Sequence, residues 1–155
     1  MSCRMRPSPL TSSGLALALA LAPVTARASL CREPAVDTTP QDRYADCFRT
    51  NREAPTTATR IEQMRVGRTL FQSEPRDVAW VTRDGDDIVQ ASTYDCPRLA
   101  AELPEPDARA MLGACIELLQ LHLSLVPPEF PGAPEYRQRS EAAQRQLESL
   151  NPPAV

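Results

Sequence analysis

His122 is the only histidine in the chain, and imidazole is the side chain whose ordinary titration falls near neutral pH. It could serve as a catalytic base or a ligand at the floor of a cleft. The plainer reading is a core histidine with one hydrogen bond, or one at a helix margin covered by a loop. No serine or cysteine nucleophile is paired with it locally, which favours the plainer reading. Asp84, Asp86 and Asp87 surround Gly85. A calcium loop of EF-hand type would need an oxygen ligand at position 88 and a glycine after it, where Ile88 and Val89 stand. The three aspartates therefore read as a solvated turn and as contact candidates for a partner. Glu102 and Glu105 flank Pro104 and could form an acid/base pair for glycoside chemistry, but nothing sets them across a cleft. Pro128, Pro131 and Pro134 give two P-x-x-P spacings around Phe130, a rigid connector whose aromatic residue is a further contact candidate. There is no Gly-rich phosphate loop, H-E-x-x-H or G-x-S-x-G motif, so neither a metal nor any other cofactor is expected.

The cysteines speak to compartment. Arg4 and Arg6 precede an apolar run, Leu15 to Ala22, and Ala26-Arg27-Ala28 offers small residues where a signal peptidase cuts. Residues 1–28 read as a secretory signal peptide, and 29–155 as a single small exported domain, periplasmic or secreted. The apolar run is too short for a membrane span. Adjacent arginines for a twin-arginine signal are missing, and bulky Leu30 stands where a lipoprotein needs a small residue before Cys31. Beyond the signal remain Cys31, Cys47, Cys96 and Cys115, an even set too widely spaced for zinc and suited to two disulfides. Three connectivities are open, and easy closure of short loops favours Cys31–Cys47 with Cys96–Cys115.

Charge narrows the partners. Lysine is absent beside 17 arginines, as biased codons in a GC-rich bacterial genome would produce. Three arginines leave with the signal, so 14 remain against 20 acidic residues, a net charge of −6. Such a domain repels phosphate backbones, which argues against nucleic acid, and it steers towards a basic partner.

These residues need elements to position them. Thr39, Pro40 and Asp42 form a helix start, with Tyr44, Cys47 and Phe48 on one side of a helix to about Arg49. Thr59 to Glu62 has the form of a capping box for a second short helix ending near Gly67. The period then changes, and residues 68–93 read as a short antiparallel β-meander. Asp84-Gly85 would be its hairpin turn, with Trp80 facing Val89 and Val78 facing Ala91. A continuous helix through Phe71 is the alternative for the first strand. Pro97 to Leu103 reads as one or two helical turns.

A long helix over 107–126 is the clearest element. Arg109, Gly113, Glu117, Gln120 and Ser124 fall within an arc of about 80° at 100° per residue, and the rest of its surface is apolar. His122 lies opposite that stripe, on the face of Met111, Cys115 and Leu118. The proline-rich connector spans 127–134, and a polar helix over 135–150 follows, offering Ala142, Ala143, Leu147 and Leu150 for docking. The fold class is thus α+β, mostly helical around a central apolar helix, with two disulfides.

Function follows by elimination and class analogy. The expectation is an exported, disulfide-bonded protein-binding module, of the inhibitor or immunity-protein kind, rather than an enzyme. Asp84, Asp86, Asp87 and Phe130 are its contact candidates. The alternatives are a small cell-envelope hydrolase using His122 and a structural envelope protein.

Overall fold

The computed structural model describes residue 31 and residues 39–73 and 77–151; the expected signal peptide, 1–28, lies outside them. Among these residues seven α-helices follow in order: α1 Pro40–Glu53, α2 Thr57–Ser73, α3 Val78–Thr82, α4 Asp84–Thr93, α5 Cys96–Ala101, α6 Glu105–Leu125 and α7 Ala133–Ser149. There is no strand among the described residues, so the expected β-meander over 68–93 is corrected to helix, and the fold is all-α.

The local chemistry explains both the agreement and the correction. At α1 the Thr39 hydroxyl accepts from the Asp42 backbone N–H while the Asp42 carboxylate accepts from the Thr39 N–H, a reciprocal cap with Pro40 in the first turn. At α2 the reciprocal pair is Thr56 with Thr59, three residues before the expected box. The helix then runs on through Gly67, because Ile61, Met64, Leu70 and Phe71 recur at helical spacing and are all buried. Gly67 is a contact point instead of a terminus. A Cβ there would lie 3.3 Å from Ile88 and 3.5 Å from Tyr44, so its lack of a side chain lets α1 and α4 approach α2.

Asp84-Gly85 is the second correction. A two-residue hairpin of the favoured type needs positive φ, and no described residue has it. Asp77 caps the five-residue α3 by accepting from the Trp80 N–H, and Asp84, Asp86 and Asp87 fill the first turn of α4, where the helix dipole favours carboxylates. Gly85 is buried because the Phe71 ring lies against it: a Cβ would sit 2.9 Å from that ring. An acid-rich first turn and a hairpin turn share residue types. The spacing of buried Ile88, Val89 and Thr93 behind them is what marks a helix.

Helix α6 is the centre of the molecule, packing against α2, α3, α4, α5 and α7, while α1 lies on α2. It buries Met111, Leu112, Cys115, Leu118, Leu119 and His122 and leaves Glu117, Gln120 and Ser124 exposed. Cys31 pairs with Cys47 and Cys96 with Cys115, with Cα separations of 4.8 and 6.5 Å. The second bridge fastens the short α5 to α6. Arg109 on α6 donates to Leu150 O and Asn151 Oδ1, tying the start of α6 to the end of α7. Among the described residues no helix is long and apolar enough to cross a membrane.

Candidate functional site

Two places gather the residues that chemistry or recognition would use, one sealed and one open. The sealed one is built on α6. His122 sits one turn from its C-terminal end, is 0 % exposed, and has no hydrogen-bond partner at either ring nitrogen. Three rings meet it edge-on: Phe71 from α2 at 5.7 Å, Phe130 from the connector at 5.8 Å and Tyr136 from α7 at 5.4 Å. Asp86, reaching in from the first turn of α4, places Oδ1 3.9 Å from Nε2. That same oxygen accepts a short hydrogen bond from the Tyr136 hydroxyl.

Electrostatics follow from this enclosure. Burial among aromatic rings holds the His122 imidazole below the ordinary histidine range, and the Asp86 carboxylate pulls the other way without prevailing. Burial, with the Asp86 carboxylate as acceptor, pushes the Tyr136 hydroxyl well above the ordinary tyrosine range. Behind Tyr136, the buried Arg139 guanidinium packs 5.4 Å from its ring centre and donates to Thr93, Gln90 and Glu135. His122 is therefore a neutral, unpaired base with a carboxylate beside it and no exposed surface. Among the described residues no three His, Cys, Asp or Glu side chains converge to hold a metal ion.

The open place lies between α1 and α4. Tyr44 and Phe48 from α1, with Asp87, Ile88, Gln90 and Ala91 from α4, line a shallow, mainly apolar groove. Tyr44 bridges the helices by bonding to Ser92 Oγ at 3.0 Å and donating to Ile88 O at 3.3 Å. Phe48 is 37 % exposed on the rim. Asp87 is exposed and has no ion-pair partner among the described residues. One turn beyond Ala91, Tyr94 is 65 % exposed.

The three aspartates thus part company, as a helix with 100° per residue requires. Asp86 turns inward to Tyr136 and His122. Asp87 faces the groove. Asp84 pairs with its neighbour Arg83, whose hydrogen bond holds that carboxyl below the usual range. Phe130 is half-buried against His122 and Tyr136, so the structure brings His122, Asp86 and Phe130 together in one cluster. Glu105 is exposed and engaged by Arg109, and Glu102 by Arg98.

Tyr136 and Arg139 were missed by the sequence reading, although Tyr136, Ser140, Ala143 and Leu147 form a helical stripe. Tyr44 and Phe48 were placed on one side of α1, but the period-two reading of 68–93 concealed the helix they face. Comparison with known proteins finds no matching family model, no similar curated protein and no similar solved structure.

Proposed function

We propose that the protein is an exported binding module, acting in the periplasm or outside the cell, which holds a basic protein partner in the groove between α1 and α4. One observation carries this reading. The groove joins aromatic surface, Tyr44 and Phe48, to an exposed carboxylate, Asp87, that forms no ion pair among the described residues. Aromatic side chains are enriched at interface hot spots, and a free acid on the rim supplies complementarity to a basic residue. The net charge of −6 expected for the exported chain adds long-range steering of the same sign. Two disulfides suit an oxidising compartment, and a stapled helical scaffold suits a module that inhibits or neutralises an enzyme.

Hydrolysis through His122 has less support. A general base must come within hydrogen-bond reach of its substrate, and His122 is closed off by Phe71, Phe130 and Tyr136.

The test is site-directed photo-crosslinking in the native host, with the probe at Phe48 or Ala91 and, as control, at Arg145 on the far end of α7. One basic protein crosslinked from the groove and not from Arg145 is the expected result. With that partner purified, Phe48→Ala should weaken binding at least tenfold. Asp87→Asn should lower the association rate and its sensitivity to salt. Equal crosslinking from all positions, or binding indifferent to both substitutions, would remove the groove from consideration.

A further inference from the structure

We propose that His122, Asp86 and Tyr136 form an acid-sensitive latch, which holds the stretch of α7 from Tyr136 to Ala143 on the body of the protein near neutral pH and releases it as His122 takes up a proton. The geometry turns on a single atom. Asp86 Oδ1 accepts the Tyr136 hydroxyl and is also the carboxylate oxygen 3.9 Å from His122 Nε2. While the imidazole is neutral it makes no charged demand on that oxygen, and Asp86 serves Tyr136.

A proton taken from solvent onto the ring creates an imidazolium with no exposed surface and no present hydrogen-bond partner. An unpaired buried cation is strongly unfavourable, so the carboxylate must turn to it or water must enter. In the first case Nε2–H competes with the Tyr136 hydroxyl for Oδ1; in the second the water parts the Phe130 and Tyr136 rings that close over His122.

Among the described residues no second carboxylate faces His122. From α4 it meets Asp86. From α7 it meets the Tyr136 ring, behind which Arg139 is already paired with Glu135. From α2 it meets Phe71, against which Trp80 of α3 packs, and from the connector Phe130. Elsewhere on α7, Leu147 and Leu150 pack partly buried against the core and Arg109 holds the C-terminal end, so the latch governs the stretch from Tyr136 to Ala143. The buried residues of α7 besides Tyr136 and Arg139 are Ala133, Ser140 and Ala143, which bring little apolar surface.

The sign follows from burial. The folded state resists protonation while the unfolded state binds its proton near pH 6.5. The histidine's contribution therefore favours the closed state above that value and is progressively lost as pH falls below it.

Because the chain has one histidine, its ring Cε1–H signal assigns itself in an NMR titration of the oxidised protein. The expected midpoint lies below 6.5. Amide protection factors from Tyr136 to Ala143 should fall by about tenfold per pH unit as the pH descends, while those of α1 and α2 hold. Tyr136→Phe, which frees Asp86, should raise the midpoint towards the ordinary histidine range. His122→Leu should leave α7 protection independent of pH. An ordinary midpoint would overturn the proposal, as would a lowered midpoint with unchanged α7 protection, or loss of protection in all helices together.

Discussion

Among the described residues, two polar clusters in or beside the core are built on opposite terms. Between α1, α2 and α4, Asn51, Thr59, Gln63, Tyr44 and Ser92 are joined by short links. Asn51 donates to Gln63 Oε1 and to Thr59 O, Thr59 donates to Asn51, and Gln63 donates to Tyr44 and Ser92. Burial raises the Tyr44 hydroxyl above its ordinary range, and its bonds with Ser92 and Gln63 draw it back. Between α4, α6 and α7, by contrast, His122 is fully buried and has no hydrogen bond at all. A fully paired network fixes one arrangement of helices, whereas an unpaired base leaves an unsatisfied group that a change in protonation can exploit. The contrast separates a part of the core that only holds from a part able to respond.

The coarsest way to break that contrast is to open the disulfides, one on each side. Cys31–Cys47 spans a separation of 16 residues and Cys96–Cys115 one of 19. Loop-closure entropy alone makes each worth about 3 kcal/mol, with almost no difference between them. Replacing either pair with alanine should lower the unfolding free energy in urea by about that amount. A much larger loss at Cys96–Cys115 would show that the α6 side depends on its staple more than on packing, because α5 has only six residues and cannot hold a helix alone.

Deleting the polar group at the heart of each cluster sharpens the contrast. Gln63→Leu removes the acceptor of Asn51 and a donor to Tyr44 and Ser92, and should cost about 1–2 kcal/mol at pH 7. His122→Leu removes two buried nitrogens that bond to nothing, and should be neutral or stabilising by up to about 1 kcal/mol. Equal losses from the two substitutions, measured by urea unfolding, would mean that His122 is paired in solution much as Gln63 is.

How far this contrast could be read in the sequence depends on the kind of signal. The stripe of Arg109, Glu117, Gln120 and Ser124 located α6 and put His122 on its inner face, because helical periodicity accumulates over 21 residues. The reciprocal cap at Thr39 and the pairing of the cysteines were legible for local reasons. Residues 68–93 misled because the end of α2 and the short helices α3 and α4 read as β-prone runs, and Asp-Gly opens a helix as readily as it turns a hairpin. The partner of Asp86 was out of reach, since Tyr136 is 50 residues away and only packing of α7 on α6 brings it there.

A surface pair makes the finest test, because it resembles the inner contacts in distance and differs from them in environment. Arg68 on α2 lies 2.6 Å from Glu117 on α6, shorter than the His122–Asp86 approach, and joins the two helices across 49 residues of sequence. Both side chains remain about half exposed, so water screens the attraction and would replace the bond at little cost. Glu117→Gln should therefore change stability by less than about 0.5 kcal/mol, an effect that fades further in 0.5 M salt. If burial and not proximity decides which polar contacts matter here, this substitution will stay well below Gln63→Leu. A loss matching Gln63→Leu would place Arg68 and Glu117 in a desolvated seam between α2 and α6, and the division between a holding core and a responsive one would have to extend to the surface.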